Sequence, residues 1–204
     1  MRLKILTFIT SILALLTFTS NSFAATTTQP QTATAVFDGG CFWCMQADFD
    51  KVKGVINTTA GYTGGTVQNP TYEQVSDGGT GHFESVKVTY NPAVISYPQL
   101  LTFYWHQIDP TNADGQFCDI GQQYRAVIFY ANDAQKQAAL QSKQALLNSG
   151  QFKQITTLIL PASTFYPAED YHQEYYKKNP IRYNFYRYHC GRDQRLKQVW
   201  GTSN

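Results

Sequence analysis

The chain has 204 residues, 16 Lys and Arg against 14 Asp and Glu, and a formal net charge of +2. That length predicts one domain with a sizeable core, and a charge so near zero argues against a protein that binds nucleic acid through a basic surface. The features left to explain are four cysteines and a 15% share of aromatic residues.

The first 24 residues have the pattern of a secretory signal peptide. Arg2 and Lys4 give a positive start, about 14 mostly apolar residues follow, and residues 22–24 end the segment with Ser-Phe-Ala, a cleavage pattern. A retained membrane anchor is the alternative, but the apolar stretch is short of the ~20 residues that span a bilayer. We therefore expect an exported protein, periplasmic or secreted, with a disordered lead-in at 25–33 and a formally neutral mature chain.

The spacing of apolar residues and of chain breakers predicts strands and helices in alternation. The first half is expected to hold a strand at 35–37, a helix beginning at or just after Cys41 and ending before Gly54, a strand at 55–59, a glycine-rich loop at 61–70, a helical turn at 72–75 and a strand at 83–90. The second half is expected to hold a helix at 97–107, a polar loop at 109–121, a strand at 125–130, a helix at 134–149 capped by Asn132, a central strand at 155–160 and a helix at 170–178.

These elements lack the regular βαβ repetition of a doubly wound fold. They predict a single α+β domain over 34–204, a two-layer sandwich in which helices pack on a mixed sheet. No later segment is long and apolar enough to cross a membrane.

The most informative stretch is a double glycine followed by Cys41-Phe42-Trp43-Cys44. Two thiols three residues apart can form and break a disulfide, and the strain expected on a helical turn makes such a bond easy to reduce. At the start of a helix, the pKa of Cys41 is expected to fall, which favours the nucleophilic thiolate. The glycines allow a sharp turn and a close backbone approach.

Several other interpretations of this thiol pair stay open at this point. It could be half of a zinc site, although no second such pair exists, or a general disulfide oxidoreductase, although thioredoxin-like motifs usually have small residues or proline between the cysteines. The two cysteines could also be ordinary core residues. A cysteine hydrolase using Cys41 and a histidine would leave Cys44 without a use.

Six short motifs occur in one order and together resemble the A-type peptide methionine sulfoxide reductases. The resemblance runs from about Val36 to Trp200 and rests on Gly40-Cys41-Phe42-Trp43, Gly61-Tyr62-Thr63-Gly64-Gly65, Asn69-Pro70-Thr71-Tyr72, Gly81-His82-Phe83-Glu84, Gly121-Gln122-Gln123-Tyr124-Arg125 and Ala168-Glu169-Asp170-Tyr171-His172-Gln173. It implies an α+β sandwich, no metal and no organic cofactor. It also implies reduction of methionine S-sulfoxide, free or in proteins, by a monomer that a thioredoxin-like dithiol protein resets.

The resemblance also implies roles for individual residues. Cys41 would be the nucleophile, Phe42 and Trp43 would hold the substrate methyl group, and the residues around the sulfoxide oxygen would be Glu84, Tyr72 and Tyr124, with Asp119 nearby. A sulfoxide oxygen leaves only after protonation, so an acid is needed. Glu84 can supply the proton if an apolar site raises its pKa, although its strand position also fits a solvated surface residue.

The remaining cysteines leave two possibilities. Cys44 is the expected resolving thiol, which attacks the sulfenic acid on Cys41, and Cys190 is the alternative resolver. Because the protein is expected to be exported and the cysteine count is even, we expect Cys118 and Cys190 to form a structural disulfide.

The segment 177–197 combines seven basic residues with interleaved tyrosines. We interpret it as a solvated, aromatic-packed C-terminal region that could dock a reductant. A nucleic-acid face in a non-catalytic binding module is the alternative.

Overall fold

The computed structural model describes residues 32–201. The predicted signal peptide and all but the last two residues of the predicted lead-in lie outside the described residues. The strands are β1 (Ala33–Asp38), β2 (Val55–Thr63), β3 (Phe83–Tyr90), β4 (Gly115–Gln116), β5 (Asp119–Ile120), β6 (Val127–Tyr130), β7 (Leu158–Pro161) and β8 (Tyr166–Pro167). The helices are α1 (Phe42–Phe49), α2 (Tyr72–Ser76), α3 (Tyr97–Trp105), α4 (Asp133–Asn148), α5 (Tyr175–Lys178), α6 (Pro180–His189) and α7 (Arg192–Trp200), and a 3₁₀ turn covers Gln122–Tyr124.

Six of these strands form one sheet in the order β7-β6-β1-β3-β2-β8. The pair β6 and β7 is parallel, and the other neighbours in this sheet are antiparallel. The sheet is therefore mixed, and the predicted α+β class is confirmed. Strands β4 and β5 form a separate small hairpin.

Side-chain alternation places the main core on one face of this sheet. Phe37 lies opposite Val86 on β3 and Ile128 on β6, and all three side chains are fully buried. The ring of Phe37 stacks on Phe49 of α1 at 5.2 Å and on Tyr104 of α3 at 4.9 Å. Helices thus cover this face, and the catalytic motif at the start of α1 is anchored to it.

The other face carries a smaller apolar cluster. Phe83, Val127 and Phe129 point there and are buried. A glycine-rich segment passes over this cluster, because a Cβ added to Gly64 would lie 2.8 Å from the ring of Phe83. The chain thus needs glycine at this position to pass so close to the aromatic rings.

Two predicted elements of the sheet are wrong in detail. Residues 61–63 belong to β2 and not to a loop, because their backbone pairs with β3 and β8. The apolar run at 155–160 is not a central strand: β7 begins at Leu158 and lies at the sheet edge, where its residues are half-buried. Ile155 instead reaches the core from the loop before β7.

The C-terminal helices were not predicted. Pro180 lies two residues after the helix predicted at 170–178 and is the first residue of α6, a position where its missing N–H costs nothing. The helix expected at 170–178 is only α5, and residues 170–174 form turns. Tyr183 of α6 packs against α1, so this region is part of the fold.

Five of the seven basic residues of 177–197 are exposed, as expected of a solvated region, but Arg187 is half-buried and Arg192 is buried, and both are paired. Arg187 Nη1 donates to both carboxylate oxygens of Asp48 at 3.0 and 2.9 Å. Arg192 is 1% exposed and donates to the backbone oxygens of Gly39 and Gln107. These guanidinium groups are therefore occupied in holding the C-terminal helices against α1.

Among residues 32–201, no helix has both the length and the apolar character that a membrane crossing requires.

Candidate active site

A tight glycine turn places Cys41 at the start of α1. Gly40 has a φ of +83°, and a Cβ on it would lie 2.7 Å from the Cβ of Gln116. The carboxylate of Asp38 accepts the Gly40 N–H at 3.1 Å and fixes the turn. Cys41 follows as the residue that caps α1, with its side chain 7% exposed. The sequence interpretation of the double glycine is therefore confirmed.

A small cavity of about 60 Å³ opens at Cys41. Its walls are Cys41, Phe42, Trp43, Tyr72, Glu84, Asp119, Tyr124 and Tyr186. Seven of these eight residues are the nucleophile, methyl-pocket and oxygen-contacting residues that the sequence motifs single out. The structure thus brings together residues from α1, α2, β3, β5 and the 3₁₀ turn, while Cys44 lies outside the cavity wall.

Glu84 lines the cavity and is 2% exposed, so the solvated alternative is wrong. Its carboxyl oxygen accepts the backbone N–H of Phe42 at 3.2 Å. Burial raises the pKa of Glu84 to about 8, against the opposing hydrogen bond from Phe42 and with a further rise from Asp119. At neutral pH the carboxyl group is therefore mostly protonated and able to donate a proton.

Two tyrosine hydroxyls face the same space. Burial raises the pKa of Tyr72 to about 12 and raises that of Tyr124 further, with Glu84 adding to both. Both hydroxyls therefore stay protonated at neutral pH and are available as hydrogen-bond donors. The backbone N–H of Tyr72 is held by Glu169 at 2.9 Å, which fixes the start of α2.

Aromatic packing holds the rings of the motif in place. The indole N–H of Trp43 donates to His172 Nδ1 at 2.9 Å, and its ring stacks on Tyr175 at 3.8 Å. The ring of Phe42 lies 5.0 Å from that of His172 and 5.9 Å from that of Tyr62. Burial lowers the pKa of His172 and favours the neutral imidazole that accepts this hydrogen bond. His172 therefore supports the cavity wall and does not itself line it.

Cys44 lies one turn along α1 from Cys41 and is 2% exposed. Its backbone N–H donates to the Cys41 carbonyl at 3.1 Å, and its side chain packs on Ala47 and Tyr183. Cys41 and Cys44 are the free thiols of the part of the chain that the structure describes.

The predicted fall in the Cys41 pKa is wrong. Burial, the interaction with Cys44 and the nearby carboxyl groups of Glu84 and Asp119 raise the pKa of Cys41 well above its ordinary value. The interaction with Cys41 lowers the pKa of Cys44 against the effect of burial, and Arg192 adds to this fall.

Tyr186 is the cavity residue that sequence reasoning missed. Its hydroxyl donates to Asp119 Oδ2 at 2.5 Å, and its ring meets the edge of Trp43 at 5.8 Å. Burial raises the pKa of Asp119, while the hydrogen bond from Tyr186 and the positive charge of Arg192 oppose the rise. The interleaved tyrosines of the C-terminal segment were the available signal, but without α6 they could not be placed.

The expected disulfide between Cys118 and Cys190 is confirmed, with Cα atoms 4.9 Å apart. Cys118 immediately precedes Asp119, and Cys190 ends α6. Cys190 therefore has no free thiol in this structure with which to act as the alternative resolver.

Comparisons with known proteins identify the family of this chain. The family model for peptide methionine sulfoxide reductase matches residues 33–204. The peptide methionine sulfoxide reductase MsrA of Halalkalibacterium halodurans is 54% identical over 168 residues, which cover 82% of this chain and 96% of that protein.

Solved structures give the same result. Mxr1 of Saccharomyces cerevisiae in its reduced form superposes with a TM-score of 0.69 at 31% identity, over 74% of this chain and 87% of that one. A structure of Mxr1 in complex with Trx2 superposes with a TM-score of 0.51 at 22% identity, over 74% of this chain and 91% of that one, which speaks to the fold alone. The chain thus belongs to the peptide methionine sulfoxide reductase family and is an enzyme that reduces methionine sulfoxide with thiols.

Proposed function

We propose that Cys41 attacks the sulfur of methionine S-sulfoxide, free or in a polypeptide, while Glu84 protonates the oxygen. The observation that supports this most is a buried, mostly protonated carboxyl group in the same small cavity as a thiol. A cavity of this size takes the end of a side chain and leaves the rest of the substrate outside. The enzyme therefore acts on the methyl sulfoxide group and places few demands on the surrounding sequence.

Different residues of the cavity contact different parts of the sulfoxide group. Phe42 and Trp43 form an apolar wall for the methyl group, and the hydroxyls of Tyr72 and Tyr124 donate to the oxygen as negative charge develops on it. Asp119 lies beside the nucleophile, where its carboxylate faces the backbone N–H of Cys41.

The first step converts the sulfoxide and the Cys41 thiol into methionine and a Cys41 sulfenic acid. Attack by Cys41 forms a bond between its sulfur and the substrate sulfur, while the S–O bond breaks and the oxygen leaves as water with the thiol proton and the proton from Glu84. A water molecule then attacks the Cys41 sulfur, the sulfur–sulfur bond breaks to release methionine, and the proton from that water returns to Glu84. The substrate is reduced by two electrons and Cys41 is oxidised by two.

The second step restores the enzyme. Cys44 attacks the sulfenic sulfur, water leaves, and a Cys41–Cys44 disulfide forms. The lowered pKa of Cys44 and its position one helical turn away favour this attack. A thioredoxin-like dithiol protein then exchanges with this disulfide, a partner suggested by the yeast relative that was solved with Trx2.

We further propose that the working protein is a monomer exported by cleavage after Ala24 and acts in the periplasm or outside the cell. The leader pattern and the Cys118–Cys190 disulfide support this location, since such bonds persist in oxidising compartments.

The chemistry is tested by counting methionine per enzyme. Reduced enzyme without an external reductant is expected to form one methionine per Cys41–Cys44 pair from the S-sulfoxide and none from the R-sulfoxide. Cys41→Ser is expected to form none. Cys44→Ser is expected to form one and to stop as a sulfenic acid that dimedone labels, with no further turnover on adding thioredoxin and its reductase. Full activity of Cys41→Ser, or continued turnover of Cys44→Ser, would refute the assignment.

A further inference from the structure

The Cys118–Cys190 disulfide lies beside the cavity and outside the proposed chemistry. Cys118 is exposed and occupies the turn between β4 and β5, directly before Asp119. Cys190 ends α6, four residues after Tyr186. The disulfide therefore joins the two segments that bring Asp119 and Tyr186 to the cavity. A disulfide that served stability alone would not have to lie at this place.

The sulfur of Cys190 contacts both of these cavity residues. It lies 3.9 Å from Asp119 Oδ2 and 3.9 Å from the hydroxyl of Tyr186. The backbone N–H of Cys118 donates to the same sulfur at 3.2 Å. Asp119 thus contacts Tyr186 and the disulfide, and it lies with Cys41 in the wall of the same cavity.

The turn that carries Cys118 is held in an unfavourable conformation. Phe117 has a φ of +58°, a region that bulky side chains avoid. Its ring packs under the guanidinium group of Arg192, 4.6 Å from the ring centre. Strain of this kind persists only when the surroundings enforce it, and the disulfide is the covalent part of those surroundings.

We propose that the Cys118–Cys190 disulfide is a positioning element that holds the Asp119 carboxylate against Cys41. The proposal rests on the function proposed above, because it acts through Asp119 during the first step. Reduction of the disulfide frees the strained turn, lets Asp119 and Tyr186 move apart and slows attack by Cys41. Since Cys118 is exposed, the rate of the enzyme then depends on the thiol conditions around it.

A double-mutant cycle tests this coupling. The proteins compared are wild type, Cys118→Ser with Cys190→Ser, Asp119→Asn, and the triple variant. Each protein is prepared with Cys41 and Cys44 reduced. Alkylation followed by mass spectrometry verifies that wild type and Asp119→Asn keep the Cys118–Cys190 disulfide. The rate of the first turnover of methionine S-sulfoxide is then measured. Wild type in which the Cys118–Cys190 disulfide has been selectively reduced gives the same comparison without a substitution.

Loss of the disulfide is expected to slow the first turnover about tenfold when Asp119 is present and less than about twofold when it is Asn. The reduced wild type is expected to match the serine variant. Equal losses in both backgrounds would overturn the proposal and leave the bond as a general staple.

Two further results would also overturn the proposal. If fully reduced wild type forms two methionines per chain and the serine variant forms one, Cys118 and Cys190 pass electrons to Cys41 and Cys44. No methionine from wild type would instead refute the proposed function itself, so the two failures are distinguishable.

Discussion

Replacing Glu84 by Gln tests the proton donor directly. Gln keeps the size of the side chain and an oxygen that accepts the Phe42 N–H, so the start of α1 is preserved. It lacks the acidic proton that the sulfoxide oxygen needs before it can leave. The exposed carboxylate of Glu73 on α2 offers a matched control, Glu73→Gln, with the same chemical change outside the cavity.

The size of the effect follows from the burial of Glu84. Raising its pKa from 4.5 to about 8 disfavours the carboxylate by roughly 5 kcal/mol. At pH 7 about 90% of the enzyme then holds the acid form, against roughly 0.3% for a solvated glutamate. General acid catalysis is worth about 10² to 10⁴ in rate. We therefore expect Glu84→Gln to slow the first turnover at least about a hundredfold and Glu73→Gln to leave it unchanged.

The pH dependence gives an independent check. Because the Cys41 thiol also loses its proton as pH rises, the wild-type rate is compared with that of Glu84→Gln at each pH. The ratio of the two rates is expected to fall as pH rises through about 8, where Glu84 of the wild type loses its proton. The assay is single-turnover formation of methionine from the S-sulfoxide, sampled by acid quench from about pH 6 to about pH 10. A ratio of wild-type to Glu84→Gln rate that stays level or rises across pH 8, or a Glu84→Gln variant within about threefold of wild type at neutral pH, would refute the proposed acid.

Two further predictions concern the framework of the site and are measured by urea denaturation. Gly40→Ala combines a φ of +83° with a Cβ 2.7 Å from Gln116, whereas Gly78→Ala has a φ of +84° and open space around it. We expect the first to cost about 1–3 kcal/mol more than the second, and equal losses would contradict the close contact. Asp48→Asn leaves the half-buried guanidinium of Arg187 short of a partner. We expect a loss of about 3 kcal/mol, and a loss under ~1 kcal/mol would show that the remaining partner of Arg187 suffices.

Strong local patterns made much of the fold predictable from the sequence. The strand at 83–90 matches β3, and the helix predicted at 134–149 is within one residue of α4, whose Asn132 cap accepts the backbone N–H of Gln135. The alternation of side chains along β3 also predicts on which face of the sheet Glu84 lies. Glu84 has the same parity as Val86 and Val88, which face the helices, so the strand pattern already places its carboxyl group inside.

The errors arose where tertiary contacts decide local structure. The residues at 61–63 resemble a glycine loop, yet they pair on both sides within the sheet. Pro180 is compatible with a helix end or a helix start, and only packing of α6 on α1 selects the second. The pKa of Cys41 depends on burial and on carboxyl groups distant in sequence, which a motif of four residues does not contain.

The central position of β1 has a consequence for how the enzyme folds. β1 pairs with β3 about 50 residues later and with β6 about 90 residues later, so the strand leading into the catalytic motif finds its partners late. Long-range pairing of this kind slows folding because large loops must close first. A chain leaving the ribosome therefore keeps Cys41 and Cys44 unprotected until residue 130 has emerged. During that interval the two thiols are open to oxidation or mispairing, and slower closure of the sheet lengthens it.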